Sequence, residues 1–164
     1  MTEKKSDIAM TDKTLSLRKG TKQVKALPKK TRALIRHAIK VRERAYAPYS
    51  NYRVGCALRD AHGNIHSGCN VENANFGGTI CAERSAVVKM VSRGCQEWEE
   101  VVVVTASEEP ALPCGDCRQF LNELGPDGVV YAVNTQGTHY LKVKMRDLLP
   151  FCYNQKDLES GAGK

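Results

Sequence analysis

Cys81-Ala82-Glu83 and, further along, Pro113-Cys114-Gly115-Asp116-Cys117 set three thiols and one carboxylate in the pattern of an open metal site. Cys114 and Cys117 stand three residues apart at the start of an expected helix. That spacing puts both on one face, with Cβ atoms about 5–6 Å apart. Zn–S bonds of about 2.3 Å let two such thiolates share one ion. Cys81 also opens an expected helix, and helix N-termini favour anions and lower thiol pKa values. Three thiolates leave the fourth corner of a tetrahedral zinc open to water. Glu83, two residues after the first ligand, is placed to move that water's protons. Three thiolates on Zn²⁺ also leave a net charge of −1, which blunts its acidity. A hydrogen bond from Arg84 to a ligand sulfur would restore it. A redox CxxC pair or a structural zinc site is the alternative. The first does not need Cys81-Ala82-Glu83, and the second wants a fourth ligand that none of Cys56, Cys69, Cys95 or Cys152 offers in a paired motif.

The elements that must carry these groups are legible from apolar periodicity. Pro28 fits a helix start, and Leu34, Ala38, Val41 and Ala45, flanked by Ile35 and Ile39, form a stripe at helical period. Pro48 ends that helix in a loop. Arg53–Asp60 and Asn64–Asn70 read as strands joined by the hairpin-length link Ala61-His62-Gly63. Cys81–Arg93 reads as a helix stopped by Gly94, and Gly115–Leu124 as another ended by Gly125. Val101–Thr105 and Val129–Val133 read as strands buried on both faces. Thr138–Val143 follows a short Gln136-Gly137 turn, and Leu148-Leu149 belongs to a last helical piece. Strand–helix–strand from Val101 to Val133 implies a parallel pair with a right-handed crossover. The tight link before Thr138 makes the last strand antiparallel. The expected fold is α/β, with helices covering a mixed five-stranded sheet. His37, His62, His66 and His139 show no ligand spacing and read as surface or strand histidines.

The chain has 164 residues and a formal net charge of +7. Residues 1–30 hold nine Lys/Arg and three acids, so they carry +6 and leave +1 for the rest. Residues 1–28 therefore read as a basic, solvated tail, and 29–164 as a single domain. A nearly neutral folded part argues against nucleic acid as a partner. Seven cysteines, an odd number, argue against a disulfide framework and for a reducing cytoplasm. No secretory leader or membrane span is visible.

These motifs together resemble the small, homotetrameric cytidine deaminases of pyrimidine salvage, a branch of the zinc deaminases that pair Cys/His ligands with a non-ligand Glu. The resemblance runs from about Ala33 to Leu149. It rests on Ala45-Tyr46-Ala47-Pro48-Tyr49-Ser50, Val54-Gly55, Gly68-Cys69-Asn70-Val71-Glu72-Asn73-Ala74, Cys81-Ala82-Glu83-Arg84, Pro113-Cys114-Gly115-Asp116-Cys117-Arg118-Gln119 and Leu148-Leu149-Pro150. It implies a three-layer α/β/α fold, one Zn²⁺ per subunit on Cys81, Cys114 and Cys117, and Glu83 as the proton carrier. It further implies that Asn70 and Glu72 hold the ribose 3′-hydroxyl, that Tyr52 packs on the base, and that the Ala82 backbone meets the base. Phe76 stands where many relatives carry Tyr, near the sugar 5′ end. The expected reaction turns cytidine and deoxycytidine into uridine and deoxyuridine with release of ammonia. A polynucleotide-editing deaminase and a blasticidin-type deaminase are the alternatives. The tight link before Thr138 opposes the first and Glu72 the second. Phe76, Phe151 and Tyr153 are aromatics with little core to cover them, which suits interfaces of a homotetramer.

Overall fold

Val101, Val102, Val103 and Val104 are all buried. Alternate side chains of a strand point to opposite faces, so such a run needs a layer on each side of its sheet. The structure, a computed structural model describing residues 20–161, supplies both layers. Its strands are β1 (Lys22–Gln23), β2 (Gly55–Asp60), β3 (Ile65–Cys69), β4 (Trp98–Val104), β5 (Val129–Val133) and β6 (His139–Lys144). Its main helices are α1 (Lys29–Arg42), α2 (Ala82–Ser92) and α3 (Gly115–Leu124), followed by the short α4 (Met145–Leu148) and α5 (Gln155–Gly161).

The strands form one sheet in the order β1-β6-β5-β4-β2-β3. β4 and β5 are parallel, and every other neighbouring pair is antiparallel. The expected parallel pair, β4 and β5 joined through α3, and the antiparallel β6 are both present. The expected strand count is corrected from five to six. The extra strand, Lys22–Gln23, pairs with Tyr140 and His139. It falls in the stretch read as tail, where Leu27 is buried as well. Two polar residues carry no periodic pattern, and only the open edge of β6 makes them a strand. The tail reading of residues 1–19 lies outside the described residues.

Two cores lie on the two faces. Leu34, Ile35 and Ala38 of α1 pack with Ala57, Val102, Val104 and Tyr131. Ala82, Ala86, Val87 and Met90 of α2, with Leu121 of α3, pack with Cys56, Leu58, Val101 and Val103. Close approach of helix to sheet depends on glycine. A Cβ on Gly55 would meet Ala38 O at 2.1 Å, and one on Gly68 would meet Ala86 N at 2.5 Å. Trp98, the chain's single tryptophan, is 2 % exposed, and its indole Nε1–H donates to Leu121 O at 2.9 Å. It thereby ties β4 to α3. The β2–β3 hairpin is closed by buried Asp60. Its carboxylate accepts from the backbone N–H of His62 at 2.9 Å and of Asn64 at 2.8 Å, and lies 2.7 Å from His66 Nε2.

Candidate functional site

Cys81 and Cys114 are the N-cap residues of α2 and α3, and Cys117 lies in the first turn of α3. The three Sγ atoms lie within 4.8 Å of one another. They come from two helix starts on the same face of the sheet, where orphan N–H groups and the helix dipoles favour thiolate. The hydrogen bond from the Cys117 thiol, and then the Arg84 guanidinium, draw Cys81 down to about 5, while sharing that proton pushes Cys117 up. Arg84 Nη2 lies 3.6 Å from Cys81 Sγ and donates to Thr79 O at 3.0 Å. All seven cysteines are free thiols, so none of these sulfurs is consumed by a disulfide. The donor set is soft, compact and anionic, and it fits zinc.

Glu83 sits in the first turn of α2 and is only 5 % exposed. Burial pushes its carboxyl up to about 6, and the nearby Cys81 charge adds to that, against hydrogen bonds from its own amide and Cys117. A carboxyl held there can both take and return a proton near neutral pH. A cavity of about 360 Å³ opens beside it. Cys81, Ala82, Glu83 and Cys114 line it, together with Thr105 and the apolar Val103, Ala111 and Leu112. Ser50, Tyr52, Val54, Asn70, Glu72 and Thr79 form the rest.

Short main-chain pairings hold the segment that carries Glu72. Val71 bridges to Tyr46 on one side and Ile80 on the other. Glu72 N donates to Tyr46 O at 2.8 Å. This clasp presents the Glu72 carboxylate to the N–H groups of Tyr49 at 2.8 Å and Ser50 at 3.3 Å, and to the Ser50 hydroxyl. The Ser50 hydroxyl first, then those N–H groups, hold Glu72 below the usual carboxylate range. Asn51 then turns the chain through φ 56°, a conformation that Asn tolerates. Tyr52 follows, with its hydroxyl 2.7 Å from Ser107 Oγ. Asn70 braces this segment. Its Oδ1 accepts from Val54 N at 2.8 Å and its Nδ2 donates to Tyr52 O at 2.9 Å.

Cys81, Cys114, Glu83, Ala82, Tyr52, Asn70 and Glu72 thus converge on one cavity, with Cys117 buried behind it. Phe76 does not line that cavity. It is 76 % exposed, edge-on to Tyr49 with ring centroids 6.0 Å apart, over a smaller hollow that shares Ser50, Glu72 and Thr79 with the main one. Sequence reasoning gave no role to Ser50, Thr105, Ser107 or Leu112. Ser50 stands within a quoted motif, but its pairing with Glu72 spans 22 residues and leaves no local signature. Ser107 is likewise joined to Tyr52 across 55 residues.

Three clustered thiols, a buried carboxyl and an adjoining cavity with polar lining are the arrangement of the zinc nucleobase and nucleoside deaminases. The family model described as "Cytidine and deoxycytidylate deaminase zinc-binding region" matches residues 28–133. A cytidine deaminase of Halalkalibacterium halodurans is 42% identical over 126 residues, covering 76% of this chain and 95% of that protein. A probable cytidine deaminase of Dictyostelium discoideum is 42% identical over 70% of this chain and 77% of its own length. The crystal structure of a cytidine deaminase from Burkholderia pseudomallei superimposes with a TM-score of 0.71 at 43% identity, covering 74% of this chain and 97% of that one. The chain belongs to the cytidine deaminase family.

Proposed function

We propose that this chain hydrolyses cytidine and deoxycytidine to uridine and deoxyuridine with release of ammonia. The observation that carries the reading is that Glu83, Cys81, Cys114 and Glu72 line one cavity. Cys81, Cys114 and Cys117 would hold one zinc per subunit, and the ion, when bound, supplies an acidified water and a Lewis acid at that corner. Glu83 takes a proton from the water and delivers it to N3 of the base, which makes C4 electrophilic. The water's oxygen bonds to C4, the C4–N bond breaks, and Glu83 carries the second proton to the departing amine. One carboxyl does both transfers because burial keeps its pKa near the working range. Arg84 offsets thiolate charge through Cys81.

Substrate positioning follows from the polar lining of this cavity. Glu72, already oriented by three donors, accepts a hydrogen bond from a ribose hydroxyl, with Asn70 beside it. Tyr52 packs on the base while Ser107 fixes its ring, and the Ala82 backbone meets the base edge. Phe76 and Tyr49 close the sugar end, where a neighbouring subunit of a homotetramer completes the pocket. Seven free thiols suit a reducing cytoplasm, and the product suits pyrimidine salvage. No helix among the described residues is long and apolar enough to cross a membrane.

The test is ammonia release from cytidine by the zinc-loaded protein and by Glu83→Gln. The variant should fold and retain its zinc, yet lose at least about 10²–10⁴-fold in turnover. Free cytosine, lacking the sugar, should be a poor substrate. Near-normal turnover in Glu83→Gln, or equal rates on cytosine and cytidine, would overturn the reading.

A further inference from the structure

The basic charge of this protein does not end with the N-terminal stretch. Residues 1–44 hold fourteen Lys/Arg against four Asp/Glu, a net +10, whereas residues 45–164 hold eleven against fourteen, a net −3. α1 itself, Lys29–Arg42, contains no acid. Its apolar face is spent on the sheet, so its cations are pressed towards the other side, except Arg42, which packs against Gly55 and donates to Arg53 O. Lys29, Lys30, Arg32, Arg36 and Lys40 are exposed, as is Arg44 just beyond the helix. None of these six makes a side-chain ion pair among the described residues, where the ion pairs are Arg59–Glu100, His66–Asp60 and Arg146–Asp127.

The neighbouring sheet edge extends this face. Lys22 is paired opposite Tyr140, so it shares the α1 side with that buried ring. Lys142 is also on this side, its ammonium 5.8 Å from the centroid of Tyr131. Along α1, Arg32, Arg36 and Lys40 recur every fourth residue, about 5–6 Å apart, and the run from Lys29 to Lys40 spans about 16 Å.

We infer that the exposed face of α1, with Lys22 and Lys142 beside it, binds the phosphate backbone of nucleic acid. A linear row of cations with no ion pair among the described residues suits a regularly spaced polyanion. An anionic bilayer would be held by charge alone, because the apolar face of α1 that could insert is occupied. A protein partner would need an aromatic or aliphatic anchor at the centre of the patch, and the exposed positions of α1 are all charged or polar. The cavity lies on the opposite face of the sheet, with α2 and α3. Bound nucleic acid is therefore a tether or a ligand, and not a substrate that reaches Glu83.

The probe is a fluorescent oligouridylate of about 30 nucleotides, free of cytosine, titrated with the full-length zinc-loaded chain at several salt concentrations. Binding should weaken with salt by about 0.7 log units per log unit of salt for each phosphate engaged. The triple variant Arg32→Gln/Arg36→Gln/Lys40→Gln should bind at least about tenfold more weakly at low salt, with a slope shallower by about two. Its far-UV spectrum, zinc content and cytidine turnover should match the parent, which separates this surface from the deaminase site. Absence of binding by the parent chain, or a triple variant that binds as well as the parent, would refute the proposal. Capture by phosphatidylserine vesicles without binding to oligouridylate would refute it in favour of a membrane surface.

Discussion

The carboxylate of Glu72 shows how one side chain can be positioned before any ligand arrives. Three donors from Tyr49 and Ser50 fix it, and two of them are main-chain N–H groups that no side-chain change removes. Ser50→Ala should therefore raise the KM for cytidine only several-fold, about 1 kcal/mol, with kcat nearly intact. Glu72→Ala should lower kcat/KM by more than Ser50→Ala does, because it removes the acceptor itself and not one of the three donors that orient it. Steady-state kinetics of the two variants check the order, and equal losses would mean that the serine does more than orient the carboxylate. The three-thiol cluster and Glu83 were legible in the sequence because their grouping is local: Glu83 stands two residues after Cys81, and Cys117 three after Cys114. Ser50 and Ser107 were not, because their partners are brought in by the fold. Asn70 was read as a sugar contact, and half of its hydrogen-bonding capacity turns out to brace the Tyr52–Val54 segment.

At the scale of elements, the site depends on how closely α2 can approach the sheet. Gly68 of β3 faces Ala82 O, Ser85 and Ala86 N, all within 2.8 Å of where a Cβ would stand. Gly68→Ala should push the start of α2 outward, destabilising the fold by about 1–3 kcal/mol and speeding zinc loss to a chelator. Urea unfolding and metal-release rates check this, and a variant that holds zinc as firmly as the parent would contradict the coupling. The hairpin lock at Asp60 gives a pH signature. Burial pushes that carboxyl up, but hydrogen bonds from His66, Asn64 and His62 outweigh it and hold Asp60 at about 2. A folded pKa below the unfolded one stabilises fully above about pH 4, and that contribution is lost as pH falls towards 2. The stability gap between the parent and Asp60→Asn, measured in urea, should shrink across that window. A gap that stays constant with pH would exclude the carboxylate as its source. Long elements were legible from periodicity: Gly115–Leu124 and Val129–Val133 have the expected bounds. β1 and α5 were not, since neither Lys22–Gln23 nor Gln155–Gly161 carries an apolar period.

For the molecule as a whole, the C-terminal segment is the piece least explained by a single chain. Phe151 is fully exposed at φ 57°, and Tyr153 is exposed while its carbonyl accepts from Gln119 Nε2 at 2.9 Å. Removing residues 151–164 should weaken self-association and cytidine turnover together while zinc stays bound, as light scattering and metal analysis would show. A fully active monomer would rule out the shared pocket. The basic N-terminal stretch was legible from the sequence, but only the fold shows that Lys29, Lys30, Arg32, Arg36 and Lys40 of α1 are exposed while its apolar side meets the sheet. Trp98 spans this scale in another way. As the sole indole, walled in by Gly125 and Gly128 and bonded to the helix that begins at Cys114 and Cys117, it gives the protein one emission centre. Its fluorescence reports on the seam between β4 and α3 without any label, so every unfolding or metal-stripping experiment on this enzyme carries its own optical gauge.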